Sequence, residues 1–425
     1  MKRFATLLRR TLFALAALVV FLALATWLLT FLESRGVVQT ERPDDRVSYL
    51  RNEWLRQQGD YFVLDDPSML YAAFPVRKAR ETVRLVMTGE SFMKGSPWID
   101  QHPNVGGIPD WLAAELPLRY PSRRFEVINA AAGGQNSFRI RDIVEDLVKV
   151  KPDLIIVGVG NNEGYVPPTS ANRPLHKWIV YRLLKRILLP NPRPEERPYF
   201  APQDQTAVVE NNYHENMSAI VETCRRAHVR LMLIALPINW KFNRHDLLQG
   251  YNLAGDPSQD EDVVRACQLI GRGDFAQAET LLIRSKTRGA ALYYLGRIYE
   301  IRGIYARARE YYRRYVEMAP ENRTRPSFNR FVRRLAREKK LPLVDLEAYA
   351  DSIAVGGVTD PSLWYDYCHM SKRGYYMMAR EIARALIDQQ IFPAAPNEPR
   401  PALTREQLIN SDRRLSVLKQ SAEHW

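Results

Sequence analysis

The chain of 425 residues has few cysteines and no recognisable nucleic-acid-binding pattern. Three cysteines are too few for a disulfide framework, and their spacing fits no zinc site. Although the formal net charge is +13, we find no zinc-finger spacing, no RNA-recognition aromatic pair and no long basic run. The sequence therefore predicts no metal, no cofactor and no nucleic-acid partner. The positive charge instead suits an anionic membrane surface or an acidic polymer.

A long uncharged segment lies near the N-terminus. Residues 12–32 carry no charge over 21 positions, which is long enough for a helix to cross a bilayer. Four basic residues between positions 2 and 10 precede it, so the positive-inside rule places everything after Glu33 on the extracytoplasmic, periplasmic side. A signal peptide cleaved near 23–25 is the alternative, and the Arg9-Arg10 pair also resembles a twin-arginine export signal. The apolar run continues past that cleavage site, which favours a single-pass anchor over 1–33.

Apolar strand-like runs alternate with amphipathic helix patterns through most of the chain. The strand-like runs lie at 84–88, 125–129, 154–159, 229–236 and 342–346. Helix periodicity appears at 139–150, 214–227 and 373–387, and Cys224 falls on the apolar stripe of the second, so we expect it in the core. This alternation predicts an α/β fold with a parallel sheet covered on both faces. Ligands of such sheets bind at the carboxyl ends of the strands.

One region, 257–320, shows helix patterns only. Its residues follow the spacing of a tetratricopeptide (TPR) repeat, with an earlier half repeat around Gly273, Asp274, Phe275 and Ala278. An ordinary helical hairpin is the alternative. The residues that match the repeat pattern are Leu292, Leu295, Gly296, Tyr299, Gly303, Ala308, Tyr312 and Pro320.

These patterns divide the chain into six parts. We expect an anchor (1–33), a linker and lead-in segment (34–80), a catalytic domain in two parts (81–256 and 321–390) around the TPR-like insert (257–320), and a Pro-rich linker with a C-terminal helix (391–425). Residues 175–189 form a basic amphipathic helix, which suits a membrane surface or equally a solvated basic face.

Four short stretches carry residues that could perform chemistry. Gly89-Glu90-Ser91 follows the first strand, where Ser91 is either a nucleophile or a helix cap. The next two strands are followed by Gly133-Gly134 and by Gly160-Asn161-Asn162-Glu163. The fourth stretch, Asp366-Tyr367-Cys368-His369, precedes the last helix.

Together these stretches contain the parts of a serine hydrolase. Such an enzyme needs a base for the hydroxyl proton, a carboxylate to hold the base, and donors for the oxyanion. A carboxylate three residues before the imidazole lets Asp366 reach Nδ1 of His369 while Nε2 faces Ser91. The expected oxyanion donors are the Ser91 and Gly134 amides and the Asn162 side chain.

On these four blocks the sequence resembles the SGNH hydrolases, also called GDSL-type esterases, over roughly 84–256 and 321–390. The resemblance implies a three-layer α/β/α sandwich of flavodoxin-like order. It also implies Ser91 as nucleophile, Asp366 and His369 as its partners, and Gly134 and Asn162 as oxyanion donors, with Gly133 as an alternative to Gly134. The chain departs from the family pattern at Glu90 and Glu163, where aspartate is usual.

The predicted function is a membrane-anchored esterase or deacylase acting on acyl esters of envelope glycans or lipids. Two alternatives remain open: an O-acyltransferase with the same triad, and a weakly active or inactive scaffold that binds a protein partner through the insert. Lys94 and Arg373 are expected in solvated positions, although either could bind an anionic substrate. Other residues near the predicted site could line an acceptor pocket or serve turn formation and packing: Tyr165, Asn239 and Trp240.

Overall fold

The computed structural model describes residues 2–38, 54–101, 106–163, 178–188, 206–243, 246, 248, 260–285, 288–318 and 323–392. The predicted C-terminal helix and the Pro-rich segment from 393 lie outside these residues. The chain divides into two units, one made of Met1–Glu53 with Val166–Tyr199 and the other of Trp54–Tyr165 with Phe200–Trp425.

Helices and strands make up most of the described residues. In order they are α1 (Lys2–Ser34), β1 (Leu55–Gln58), β2 (Tyr61–Leu64), β3 (Ala72–Pro75), β4 (Thr82–Gly89), α2 (Ser91–Lys94), α3 (Trp98–Gln101), α4 (Ile108–Arg119), β5 (Arg124–Asn129), α5 (Ser137–Leu147), β6 (Leu154–Gly158), α6 (Ile179–Leu188), α7 (Thr206–Arg226), β7 (Leu231–Ala235), α8 (Glu261–Gly271), α9 (Phe275–Arg284), α10 (Arg288–Ile301), α11 (Tyr305–Glu317), α12 (Pro326–Lys339), β8 (Leu343–Asp345), α13 (Leu346–Ser352) and α14 (Lys372–Asp388).

A five-stranded sheet forms the centre of the larger unit. Its strand order is β5-β4-β6-β7-β8, and each neighbouring pair is parallel. Successive strand residues enter different cores, as Leu85 and Met87 pack on one face while Val86 packs on the other. Helices α4 and α14 cover the first face, and α5, α7 and α12 cover the second. The predicted α/β/α sandwich is therefore confirmed, and its middle strand, β6, is buried at every position because both faces of the sheet are covered.

The lead-in segment contains a small sheet that the sequence did not predict. Strands β1, β2 and β3 pair antiparallel in chain order. Leu64 and Phe74 of this sheet join the core beneath α5 and α7. Trp54 is buried as well, with the Arg139 guanidinium 3.4 Å above its ring centroid. Residues 54–75 belong to the larger unit.

The described part of the insert contains four helices, α8 to α11, which pack around one hydrophobic core. Leu292, Tyr299 and Tyr312 are buried there. Ile238 and Trp240, which follow β7, belong to the same core. Trp240 is therefore a packing residue, and the insert shares a core with a segment at the carboxyl edge of the sheet.

In the smaller unit, α1 contains the uncharged segment and packs against α6. The stretch Arg9–Ser34 is long and apolar enough to cross a membrane.

Candidate active site

Ser91 follows β4, an inner strand of the sheet, and begins the short helix α2. The turn between them needs glycine at position 89, because φ is +152° and a Cβ there would lie 2.0 Å from the Gly158 carbonyl oxygen. Glu90 occupies the N-cap position of α2. The Ser91 hydroxyl instead lies 2.8 Å from His369 Nε2, so it is placed for contact with the imidazole rather than as the cap.

His369 lies between Ser91 and Asp366. Its Nδ1 is 2.7 Å from Asp366 Oδ2, although Ser91 and His369 are 278 positions apart in the chain. The other Asp366 oxygen accepts backbone N–H bonds from Cys368 (2.9 Å) and His369 (2.7 Å). These bonds fix the carboxylate, which in turn orients Nδ1–H toward itself and leaves Nε2 to accept the serine proton.

Contacts between the segments that follow Ser91 and His369 hold the two together. Trp98 Nε1 donates to the Met370 carbonyl at 2.9 Å, and the Tyr375 hydroxyl donates to the Ser96 carbonyl at 2.7 Å. The Asn239 side chain donates to the Asp366 carbonyl at 2.9 Å. Three chain segments thus meet at the carboxyl edge of the sheet.

The electrostatic surroundings keep Asp366 charged. Burial acts to raise the pKa of Asp366, but the hydrogen bonds and charge of His369 outweigh burial and lower it below the ordinary value. An ionised carboxylate at this position stabilises the imidazolium that forms when His369 takes a proton.

Cys368 lies beside the imidazole, and one atom each of Asp366, Cys368 and His369 falls within 4.8 Å of the others. A metal would need the thiolate, but burial raises the pKa of Cys368 well above its ordinary value. Both nitrogens of His369 already have protein partners. The arrangement therefore suits proton transfer better than metal binding.

The glycine pair after β5 runs alongside the Ser91 turn. The Ala132 amide donates to the Gly89 carbonyl at 2.8 Å, and the Gly133 amide donates to the Ser68 carbonyl at 2.7 Å. The Gly133 N–H is therefore occupied by a protein acceptor. This leaves Gly134, whose φ is +69°, as the candidate oxyanion donor of the pair.

Glu90 holds the third predicted block. Its buried carboxylate accepts hydrogen bonds from the Asn161 amide (2.8 Å) and from the Asn162 amide (3.2 Å) and side chain (3.1 Å). The Asn162 side-chain nitrogen also donates to the Gln135 carbonyl at 2.9 Å. Both hydrogens of the Asn162 side chain are thus directed at protein acceptors, so a bond to an oxyanion would require one of these to be exchanged.

Glu163, the next residue after Asn162, connects the same turn to helix α5. Its carboxylate accepts from the Ser137 amide and hydroxyl, each at 2.7 Å, at the start of α5. Burial raises the pKa of Glu163 to about 7 despite these bonds. Burial also raises the pKa of Glu90 well above its ordinary value, although the Asn161 and Asn162 amides oppose the shift. Glu90 and Glu163, the two positions that differ from the pattern the sequence resembles, are therefore buried carboxyls whose hydrogen bonds fix neighbouring loops.

Several residues proposed around the site have other partners. Lys94 is only 7% exposed and pairs with Asp100 at 2.8 Å, so the expectation of a solvated lysine was wrong. Arg373 donates to the exposed Ser362 hydroxyl at 3.0 Å. Tyr165 lies outside the described residues.

An aromatic rim beside the site was not predicted. Tyr367 lies 6.3 Å from His369 between ring centroids and 5.7 Å from Phe242. Trp98 meets the exposed Tyr365 edge-on at 5.2 Å. The Y-D-Y-C-H run that surrounds Asp366 was visible in the sequence, but nothing in it indicated which rings stay accessible.

No family model and no curated protein matches the chain. Among solved structures, the chain is similar to a GDSL-like lipase from Bacteroides thetaiotaomicron, with 14% identity, a TM-score of 0.34, and coverage of 72% of this chain and 88% of that chain. It is also similar to the acetylxylan esterase Axe2 from Geobacillus stearothermophilus, with 14% identity, a TM-score of 0.37 and coverage of 72% and 96%.

Proposed function

We propose that this chain is a serine esterase or deacylase of the SGNH type, anchored by α1 and active outside the cytoplasm. One observation carries the proposal. Ser91 Oγ, the two His369 ring nitrogens and Asp366 Oδ2 form a continuous hydrogen-bonded series with steps of 2.8 and 2.7 Å, at the carboxyl edge of a parallel sheet. This is the geometry that activates a serine hydroxyl.

The reaction proceeds through a covalent acyl-enzyme. Ser91 Oγ attacks the ester carbonyl carbon while its proton passes to His369 Nε2. The carbonyl oxygen becomes an oxyanion that accepts hydrogen bonds from the Ser91 and Gly134 amides. The bond to the alcohol oxygen then breaks, and that oxygen takes the proton from Nε2. Water next gives a proton to His369 Nε2 and attacks the acyl carbon. The bond from that carbon to Ser91 Oγ then breaks and Oγ takes the proton from Nε2, which releases the acid and restores both side chains.

Asn162 contributes in one of two ways. It becomes the third oxyanion donor if its hydrogen bond to Glu90 or to Gln135 is exchanged when substrate binds. Otherwise it connects the Glu90 turn with the glycine loop, and the two main-chain amides alone stabilise the oxyanion.

The substrates we propose are acyl esters on envelope glycans or lipids. The membrane-compatible α1 and the net charge of +13 support an anionic, membrane-associated setting. Trp98, Tyr365 and Tyr367 offer aromatic surface beside the site for an acyl chain or a sugar ring. If a sugar hydroxyl replaced water in the second step, the same acyl-enzyme would serve acyl transfer.

We also propose that α8 to α11 are two TPR-like units. A Cβ at Gly296 would lie 2.7 Å from the Tyr312 ring, so the glycine permits close approach of α10 and α11. Gly273 and Gly303 precede the second helix of each pair with similar φ of +79° and +73°. A protein partner for these helices stays a prediction.

The test is labelling of the detergent-solubilised full chain with a fluorophosphonate, followed by peptide mass spectrometry. We expect an adduct on Ser91 and hydrolysis of p-nitrophenyl acetate, both abolished in Ser91→Ala. Ser218→Ala, which removes an exposed hydroxyl on α7, is the matched control and should retain both. A folded chain without an adduct at Ser91 would refute the proposal. An adduct with hydrolysis that stays low until a sugar acceptor is added would indicate the transferase.

A further inference from the structure

The smaller unit contains a second helix whose apolar surface is only partly covered. Ile179 of α6 is 2% exposed, whereas Leu184, Ile187 and Leu188 are 49%, 68% and 71% exposed. At 100° per residue, these positions belong to one broad apolar arc, of which the contact with α1 buries only part. A soluble protein seldom leaves such a continuous apolar face uncovered.

The charge around α6 has one sign. From Gly164 to Pro194 the sequence contains six lysines and arginines and no aspartate or glutamate. Arg182, Lys185 and Arg186 lie within α6 itself, so the sequence of this helix carries three positive charges and no negative one. A positively charged helix with an exposed apolar arc suits an anionic lipid surface, where cations meet headgroups and apolar side chains enter the acyl region.

Within Arg9–Ser34, α1 is covered only on one side of its later half. Every residue from Arg9 to Phe21 is exposed, whereas half-buried positions recur on one face of the later half. By the positive-inside rule this later half passes through the extracytoplasmic leaflet. The half-buried apolar or small positions are Leu22, Ala25, Thr26, Leu29 and Leu32.

We propose that α6 is a second membrane-contacting helix, which lies against the later half of α1 in the interface of the extracytoplasmic leaflet. Its occupant is an anionic lipid bilayer: Leu184, Ile187 and Leu188 contact acyl chains, and the positive charge of the helix attracts headgroup phosphates. The inference does not rest on the catalytic proposal. The chain then contacts the membrane at two places in its sequence, α1 and α6. The second place lies between β6 and α7 of the larger unit.

The test places an environment-sensitive fluorophore on α6 in the full chain. Ile187→Cys is labelled with a nitrobenzoxadiazole (NBD) maleimide and reconstituted in vesicles of phosphatidylglycerol and phosphatidylethanolamine. Ile283→Cys is the matched control, since Ile283 is 67% exposed on α9 of the larger unit. The three native cysteines are buried, which limits background labelling. At position 187 we expect blue-shifted emission that doxyl-labelled lipid quenches and iodide does not. At position 283 we expect iodide to quench the emission and doxyl-labelled lipid not to.

Equal iodide quenching at the two positions would overturn the proposal. Resistance to both quenchers, together with a disulfide-linked dimer of the Ile187→Cys chain, would overturn it in favour of a second copy of this chain. The charge is tested by Arg182→Glu/Lys185→Glu/Arg186→Glu, which should lose the blue shift at 187. An unchanged blue shift in that variant, or an equal one in pure phosphatidylcholine vesicles, would refute anionic recognition.

Discussion

The replacement Glu90→Gln tests how the residue next to the nucleophile shapes the site. The Glu90 carboxylate is surrounded by donors: Asn161 N at 2.8 Å from Oε1, and Asn162 N and Nδ2 at 3.2 and 3.1 Å from Oε2. Glutamine has the same size but exchanges one acceptor oxygen for an NH₂ donor. In either amide orientation, at least one of these buried donors faces another donor.

The expected loss follows from that mismatch. A buried donor left without an acceptor costs about 1–3 kcal/mol, so we expect Glu90→Gln to lower the free energy of unfolding by at least this amount. Displacing the Asn161-Asn162 turn also disturbs the neighbouring Ser91, and a misplacement of about 1 Å can lower the rate about 10²-fold. Glu90→Asp should be impaired too, because the shorter side chain withdraws from the same donors.

The assay is kcat/KM for an aryl acetate, measured beside urea unfolding of the same samples. Glu115→Gln is the matched control: Glu115 is also buried, but its partner is Arg119 on α4. We expect both variants to lose stability and only Glu90→Gln to lose kcat/KM. Wild-type kcat/KM in Glu90→Gln, or an equal loss in the control, would refute the reasoning.

Three further predictions concern the residues around the site. Burial raises the pKa of Glu163 to about 7 from 4.5, so the unfolded chain ionises first and stability should fall by about 3 kcal/mol from pH 4.5 to 7. Glu163→Gln should flatten that slope in urea titrations, and an unchanged slope would contradict the assignment. Gly89→Ala should prevent folding, since its Cβ would lie 2.0 Å from a carbonyl oxygen. The Cβ of Gly134→Ala would meet nothing within 4 Å, so this variant should lose only about 1–2 kcal/mol of unfolding free energy, because alanine is strained in the left-handed backbone conformation. Circular dichroism melts compare the two glycine variants, and equal losses would count against these contacts. Asn239→Ala should lower kcat roughly tenfold through the lost hydrogen bond to Asp366, without changing KM; steady-state kinetics that show a raised KM alone would instead make Asn239 a substrate contact.

The layered fold could be predicted because its elements are strongly periodic. Leu154–Gly158 is apolar at nearly every position and buried throughout, as a central parallel strand requires. Cys224 falls on the apolar stripe of α7 and is 1% exposed, so its place in the core is confirmed. Helix ends were less accurate: α7 begins at Thr206, well before the predicted start at 214.

The small sheet of the lead-in segment could not be predicted, because its strands lack any pattern. Leu55–Gln58 reads L-R-Q-Q and is mostly exposed. Four residues of this kind carry no alternation, and their pairing with Tyr61–Leu64 depends on the turn between them.

The hydrogen bonds that join Asp366, His369 and Ser91 were expected from the sequence, but those of Asn162 were not. The three-residue spacing of Asp366 and His369 is local, so the reach to Nδ1 follows from geometry alone. The partners of Asn162 are tertiary: Glu90 comes from the first block and Gln135 from the second. A sequence pattern shows that an amide is present but not where its two hydrogens point.

Two residues that follow the insert, Arg323 and Thr324, form hydrogen bonds to loops on both sides of the site. Arg323 donates to the Asn239 carbonyl at 2.6 Å, and Asn239 in turn donates to Asp366. The neighbouring Thr324 amide donates to the Asn161 side chain at 2.7 Å, in the turn that Glu90 also holds. These bonds are buried or partly buried, so they resist exchange with water. Arg323 and Thr324 therefore support the loops on both sides of the site, one next to His369 and the other next to Ser91.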